Sequence, residues 1–315
     1  MIAYTSSDIG ARQLVNTNNS LNLVLNDVLV MGYGDKPAAG WSAPFTGTNL
    51  FVFKQGIGGN DRYFRFFDGG IDASGYRCTR FRGYESMTDV STGTGAFPTT
   101  GQIAANGINF TYYNSAATAP RWFIFADSRV CHVIIDTYDI SGYWEYCCFG
   151  SGIPTKQGSQ YFDFVIGSDP IYSGGYNGQV IGVAAGPVAN SGVYISRNDT
   201  GTGSAKLAGL TSPYAGYMTT HSVGQYAYPD RPTNSVIQAQ TKLTTDGYDQ
   251  GTIPGLWQVL HNPDTMGHDI VGGTTWSGAI GSELEGRTFK MFGPFAIISQ
   301  GTYPKIVIET SDTWS

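Results

Sequence analysis

Histidines are the first residues to consider for chemistry, because imidazole titrates near neutral pH and is the commonest metal ligand. His261 and His268 flank Asp264, but their spacing matches no common set of metal ligands, and Pro263 excludes a regular helix at this point. His132 alternates with apolar neighbours in a predicted strand. We therefore expect no metal site, and we expect His132 to be packed or hydrogen-bonded rather than catalytic.

Glu145 is the carboxylate whose neighbours most resemble a sugar site, since it stands among Tyr143, Trp144 and Tyr146. Glycoside hydrolysis needs two carboxyl groups held about 5–10 Å apart in a cleft. We favour a different interpretation, in which Glu145 is a solvent-facing strand position beside core aromatics. No serine-nucleophile or phosphate-loop motif occurs either. We predict no enzymatic activity, no catalytic residue and no cofactor. A cell-wall or polysaccharide hydrolase is the third hypothesis, ranked below two non-enzymatic functions.

Aromatic side chains could instead form an interface or stack on glycans, because they provide a large contact area at a low entropic cost. The bulky aromatics at Gly40-Trp41 and Gly255-Leu256-Trp257 stand at predicted turns, where sealing of the core is the favoured role. The candidate interface or glycan-stacking residues are Trp41, Tyr143, Trp144, Tyr146, Trp257 and Trp314.

The composition is typical of short strands joined by tight turns. The chain has 315 residues with 43 glycines, 20 tyrosines and 17 phenylalanines. Only 13% of the residues are charged, against about 25% in ordinary soluble domains. A surface with so little charge favours burial against partners.

The net charge of −6 argues against nucleic-acid binding, which needs clustered basic residues. The arginines between Arg62 and Arg82 are interrupted by Asp61, Asp68 and Asp72, and we interpret them as a paired or solvated sheet face.

The sequence also predicts where the chain folds. Residues 1–15 lack the pattern of a secretory signal, and no apolar run reaches the length of a membrane span, so we expect folding in a cytoplasm. The four cysteines fit no zinc spacing, and we expect buried free thiols, with a later disulfide as the alternative. Adjacent Cys147 and Cys148 must point to opposite faces of a strand.

The pattern along the chain predicts a mainly-β protein of antiparallel sheets, as a sandwich or barrel-like meander, with one or two short helices near the N-terminus. Helical spacing over 20–31 predicts an amphipathic helix that Ser20 can cap, and a second short helix is placed at 100–106. The segment 83–100 is too rich in turn formers for a regular element. Predicted strands cover 50–54, 62–67, 121–126, 130–136, 143–149, 161–166, 180–184, 193–196, 237–241, 288–292, 295–299 and 305–310.

Two domains, 1–153 and 154–315, are the predicted organisation, with a single domain as the alternative. The only boundary signal is Ile153-Pro154, and no long polar linker follows it.

Several blocks along nearly the whole chain resemble a family of virion structural proteins encoded by tailed bacteriophages. The blocks are Ser20–Val30, Gly32-Tyr33-Gly34, Lys36-Pro37-Ala38, Gly40-Trp41, Arg82–Asp89, Thr92-Gly93-Thr94, Phe97-Pro98-Thr99, Pro254–Trp257, Leu260-His261-Asn262, Glu285–Phe289 and Glu309–Trp314. The resemblance implies a structural protein of the tail, baseplate or neck that is assembled in the bacterial cytoplasm and becomes part of the virion. It transfers no catalytic residue.

The expected partners are therefore copies of the chain itself, as a homo-oligomer, and other virion proteins. A receptor-binding, adhesin-like protein that binds a host surface glycan is the alternative function, and a capsid decoration protein is a variant of the first hypothesis. We expect no nucleic-acid partner and no membrane span.

Overall fold

The computed structural model is mainly β, with antiparallel sheets and one short helix near the N-terminus, as predicted. It describes residues 1–71, 77–103, 106–113, 120–136, 144–155, 162–167, 192–197, 206–207, 209–211, 238–245, 248–259, 275–277, 286–292 and 306–311.

The strands are numbered in chain order. Those before residue 152 are β1 (Ile2–Thr5), β2 (Ser42–Gly47), β3 (Leu50–Lys54), β4 (Tyr63–Ile71), β5 (Arg77–Tyr84), β6 (Ser86–Met87), β7 (Gly93–Thr94), β8 (Ile108–Tyr113), β9 (Arg121–Ala126), β10 (Val130–Asp136) and β11 (Trp144–Ser151). Those after it are β12 (Ile153–Pro154), β13 (Asp163–Gly167), β14 (Gly192–Ile195), β15 (Lys206–Leu207), β16 (Gly209–Thr211), β17 (Gln238–Thr245), β18 (Tyr248–Val259), β19 (Thr275–Ser277), β20 (Thr288–Phe292) and β21 (Ile306–Glu309).

Three sheets account for nearly all of these strands. The central sheet has the order β1-β9-β10-β11-β13-β14-β15, and the N-terminal sheet has the order β2-β3-β4-β5-β8. The C-terminal sheet has the order β16-β17-β18-β21-β20-β19, and β12 also pairs with β18. The predicted meander is confirmed in β9, β10 and β11, which pair consecutively and antiparallel.

The central sheet is buried on both faces because side chains alternate across a strand. Cys131, Val133 and Ile135 of β10 pack in one hydrophobic cluster with the N-terminal sheet and the helix. Val130 and Ile134 of the same strand pack in a second cluster with the C-terminal sheet. All seven residues of β10 are buried, so the described sheets form three layers around the central one.

The predicted helix over 20–31 is confirmed, but only its first half is α-helical. The α-helix α1 spans Ser20–Asn26, and a π-helical turn, Asp27–Met31, continues it. Leu21, Val24 and Leu25 are buried against the N-terminal and central sheets, as their spacing predicts.

The prediction that the Ser20 hydroxyl caps this helix is wrong. Ser20 Oγ accepts the backbone N–H of Val15 at 2.8 Å instead. Asp68 on β4 supplies the cap, because its Oδ2 accepts the N–H groups of Leu21 at 2.8 Å and Asn22 at 3.2 Å. A carboxylate there satisfies helical donors that have no partner within the helix.

Two further local predictions differ from the structure. Residues 99–103 form a hydrogen-bonded turn rather than the start of the helix predicted over 100–106, with the N–H groups of Gln102 and Ile103 donated to Thr99 O. The segment 83–100 contains the small β6–β7 hairpin, in which Ser86 faces Thr94.

The predicted domain boundary falls inside β12, between two strands that pair in the central sheet. Phe149 of β11 faces Val165 of β13, so this sheet continues across residue 153. The domain organisation stays a prediction, and the predicted strands 180–184 and 295–299 lie outside the described residues.

Candidate functional site

Trp41 is a core residue in this structure. Its side chain packs against Phe64 and Phe149, with ring centroids 5.6 and 5.5 Å away. Its indole N–H donates to the carbonyl oxygen of Asp127 at 2.6 Å. Trp41 thus joins the N-terminal sheet to the β9–β10 turn, in the core-sealing role favoured from the sequence.

Trp257 and Tyr146 are also buried. Trp257 packs edge-on against Phe289, with ring centroids 5.6 Å apart, and donates its indole N–H to Glu309 Oε2 at 3.1 Å. Tyr146 lies between the central and C-terminal sheets. In this fold, these two side chains and Trp41 face the interior rather than a surface where a glycan could stack.

The side chains of the other three aromatic candidates are not among those described. The backbone of Trp144 begins β11, while its side chain is not among those described. Tyr143 and Trp314 lie outside the described residues.

Glu145 does not face solvent, contrary to the sequence-based interpretation. It is only 8% exposed, and it faces Ile135 of β10. The reason is the third layer, because β11 belongs to a sheet covered on both sides. The sugar-site interpretation needs an accessible carboxylate, and this position does not provide one.

One buried cluster contains residue types that occur in nucleophilic catalysis. It consists of Cys148, His132 and Tyr146. His132 faces Cys148 across β10 and β11, and its Nδ1 lies 2.9 Å from the Tyr146 hydroxyl. All three side chains are buried, and burial raises the pKa of the Cys148 thiol while lowering the pKa of His132 to about 4. A protonated thiol beside a neutral imidazole in a closed core is a packing arrangement, as expected for His132.

Asp163 organises a buried polar cluster that no sequence pattern indicated. Its Oδ1 accepts hydrogen bonds from Ser151 Oγ at 2.6 Å and Asn60 Nδ2 at 2.9 Å. Its Oδ2 accepts one from Arg62 Nε at 2.8 Å and a longer one from Ser196 Oγ at 3.5 Å. This Asp163 cluster joins the β3–β4 loop to strands β11, β13 and β14.

The electrostatics of Asp163 are those of a buried structural carboxylate. Desolvation raises its pKa, and the Arg62 guanidinium and the hydrogen-bond donors oppose that effect. Arg62 itself is largely buried, with 14% of its side chain exposed. Because both members of the ion pair are shielded from water, we infer that the Asp163 cluster connects the N-terminal sheet to the central sheet.

Of the five arginines predicted to form a paired or solvated sheet face, Arg62, Arg65, Arg77 and Arg82 make hydrogen bonds, and only Arg62 is bonded to a carboxylate among the described contacts. Arg65 donates to the carbonyl oxygen of Val90 at 2.9 Å, and Arg82 donates to that of Ile103 at 2.6 Å. Arg77 Nε donates a hydrogen bond to Asn16 Oδ1 at 2.9 Å.

The described exposed large hydrophobic side chains concentrate at the N-terminus. Ile9 is 86% exposed, Met31 70%, Val15 46% and Leu23 36%, whereas Ile57 and Ile71 lie elsewhere. We call the first four the N-terminal apolar surface.

An ion pair holds the segments that carry this surface together. Arg12 Nε lies 2.8 Å from Asp27 Oδ2. Ile9 and Val15 stand three residues on either side of Arg12, and Leu23 and Met31 stand four residues on either side of Asp27. The four side chains therefore lie on the two segments that this salt bridge joins.

Neither a cluster of metal ligands nor a helix that could cross a membrane occurs among the described residues. These include no group of three or more potential ligands that could hold a metal ion, and His261, Asp264 and His268 lie outside them. None of the described helices has the length and apolarity needed to cross a membrane.

No protein-family model matches this chain, and a search of curated proteins finds no match.

Proposed function

We propose that this protein is a non-enzymatic structural subunit of a tailed-phage particle, placed in the tail, baseplate or neck. In this role it assembles with copies of itself and with other virion proteins, and it resides in the virion. The proposal combines the sequence resemblance with two physical properties of the folded chain.

The N-terminal apolar surface is the observation that carries the proposal. Exposed apolar side chains that occur singly are ordinary, whereas a group of them marks a surface that gains free energy when a partner covers it. Here four such side chains flank the Arg12–Asp27 ion pair on an ordered helix and the segment beside it.

The three-layer β architecture supports the same function. A particle component must keep its shape under load, and a central sheet with both faces buried supplies many cooperative contacts. The low charge content leaves uncharged surface for contacts with neighbours.

The experiment that tests assembly is light scattering of the purified full-length chain after size-exclusion chromatography. We expect the wild-type chain to self-associate and the double substitution Ile9→Asp with Met31→Asp to reduce the mass of the assembly. Ile57→Asp is the matched control, because Ile57 is 97% exposed but lies in the β3–β4 loop.

The proposal also requires that the same double substitution lowers incorporation of the chain into particles, while Ile57→Asp leaves incorporation unchanged. A chain that is monomeric alone and also enters particles equally well with or without the double substitution would contradict the role of this surface. Saccharide-specific binding on a glycan array would favour the adhesin-like alternative instead.

A further inference from the structure

The central and C-terminal sheets are connected by a buried polar contact centred on His132. Its Nε2 lies 2.8 Å from the carbonyl oxygen of Pro254, and its Nδ1 lies 2.9 Å from the hydroxyl of Tyr146. Cys148, two residues further along β11, interacts electrostatically with Tyr146. We call these four residues the His132 latch.

A bulge in β18 makes the carbonyl group of Pro254 available. The pairing of β17 with β18 passes from Lys242 facing Thr252 directly to Gln240 facing Trp257, so 253–256 lie outside this ladder. Proline within a sheet is confined to edges and bulges, because it has no N–H to donate. Gly255 adopts a φ of 75°, which turns the chain within the bulge.

The partners determine which protonation state the latch requires. A carbonyl oxygen only accepts hydrogen bonds, so Nε2 of His132 must carry the proton that is donated to Pro254. In a neutral imidazole Nδ1 is then an acceptor, and the Tyr146 hydroxyl donates to it. The latch is complete only with His132 in the neutral Nε2–H tautomer.

We propose that the His132 latch is an acid-sensitive connection, and that uptake of one proton by His132 separates the β18 bulge from the central sheet. This device is independent of the proposed role in a particle.

The proton that His132 takes up is added to Nδ1, since Nε2 already carries one, and it disrupts the chain of hydrogen bonds. Nδ1 becomes a donor, so the Tyr146 hydroxyl must turn to accept from it and lose its own acceptor. Its remaining described neighbour is the Cys148 sulfur, which is a weak acceptor. The added charge also lies in an apolar cluster, where the charged form is strongly disfavoured.

The described groups around the imidazole do little to stabilise that charge. The hydrophobic cluster between the central and C-terminal sheets surrounds the imidazole with apolar side chains. They include Phe125 from β9, Ile166 from β13, and Ile253 and Leu256 from β18, beside Tyr146 and Cys148 on β11. Asp127 at the β9–β10 turn favours the charged form from a distance, and Arg129 already pairs with it at 3.0 Å. Burial consequently dominates, and the pKa of His132 is lowered.

The bulge is a weakly paired part of β18. In the described ladders residues 253–255 have no partner strand position, whereas Leu256 pairs with Ile308 of β21 and the flanking positions pair with β17. Opening at the bulge breaks the contact with Pro254 and admits water to His132 without unpairing the N-terminal sheet. The open state then binds the proton at the ordinary pKa of histidine.

Hydrogen–deuterium exchange of the full-length chain, corrected for the intrinsic pH dependence of amide exchange, tests the proposal. Between about pH 6 and pH 4, the opening constant of segments 130–136 and 250–257 should rise about tenfold per pH unit, because opening takes up one proton. Segment 63–67 in the N-terminal sheet should not follow this slope.

His132→Gln is the informative variant, since glutamine offers an amide N–H and an oxygen but does not titrate. The pH slope should vanish in this variant. Equal slopes in both proteins, or no slope in the wild type, would overturn the proposal.

A second measurement applies whether or not the variant folds. Nitrogen-15 spectra of histidine-labelled wild-type protein should show one histidine as the neutral Nε2–H tautomer, titrating well below the others. Assignment of His132 to the Nδ1–H tautomer, or a His132 that titrates at the ordinary value, would refute the latch.

Discussion

The carboxylate of Asp68 on β4 accepts the backbone N–H of Leu21 at 2.8 Å, although 47 residues separate the two positions. The same side chain accepts the hydroxyl proton of Tyr112 from β8, with 2.7 Å between Tyr112 Oη and Asp68 Oδ1. One buried acid therefore ties the first turn of α1 to two strands of the N-terminal sheet. This contact connects the helix to the N-terminal sheet.

Asp68→Ala should lower the free energy of unfolding by about 2–4 kcal/mol, because it removes a helix cap and leaves the Tyr112 hydroxyl buried without its acceptor. Asp68→Asn should cost less, because its carbonyl oxygen still serves some of these donors. Guanidinium unfolding followed by circular dichroism measures both. Equal stability of the alanine variant and the wild type would show that the cap contributes nothing.

The Asp163 cluster should be the most sensitive polar site in the described core. All four side-chain partners of Asp163 donate hydrogen bonds to it. Asp163→Asn puts an amide donor against other donors and leaves Arg62 without its carboxylate. We expect a loss of about 3–5 kcal/mol in the free energy of unfolding, as for other broken buried ion pairs.

The matched control is Asp61→Asn, at an exposed ion pair. Asp61 Oδ1 lies 3.2 Å from Lys54 Nζ, and the side chain of Asp61 is 82% exposed. Asparagine also tolerates the positive φ of this position, so the change should be below about 1 kcal/mol. Similar losses for the two substitutions, compared by urea denaturation, would argue against the role assigned to the Asp163 cluster.

The four cysteines should be unreactive in the native protein. No disulfide joins the four residues and all of them are buried, which confirms the expectation from the sequence: Cys78, Cys131, Cys147 and Cys148. Burial raises the pKa of the Cys131, Cys147 and Cys148 thiols, so little thiolate forms near neutral pH. A thiol-specific chromogenic reagent should detect four groups only after denaturation, and rapid labelling of the native chain would contradict the structure.

Stability should fall as the pH is lowered through the range in which His132 titrates. Burial lowers the pKa of His132 from 6.5 to about 4, so between these values the unfolded chain holds a proton that the folded chain lacks. The contribution of His132 is complete above about pH 6.5, and about 3 kcal/mol of it is lost by about pH 4. Chemical denaturation at several pH values should give a steeper dependence for the wild type than for His132→Gln, and parallel curves would contradict this assignment.

Strands with simple patterns could be predicted from the sequence to the residue. The bounds of β3, β9, β10 and β20 agree with the predictions, because each is a short apolar or aromatic run next to turn residues. The same reasoning missed β5, where Arg77, Arg80 and Arg82 interrupt the apolar pattern. It also missed β18, because Pro254 and Gly255 look like a turn and instead form the bulge.

The layer arrangement and the polar clusters could not be predicted, because they depend on contacts distant in sequence. Glu145 was interpreted as solvent-facing because an alternating strand normally has one wet face, and the third layer removes that face. Arg62 and Asp163 are 101 residues apart, and nothing in the pattern around either residue indicates the other.

The most direct test of the central claim is a cryo-EM reconstruction of purified particles of the proposed source phage, with mass spectrometry of the same particles. The structural role predicts that the chain is present in several copies, as a ring or collar in the tail, baseplate or neck, with the N-terminal apolar surface covered by a neighbour. Absence of the chain from both the density and the particle peptides would contradict the virion assignment.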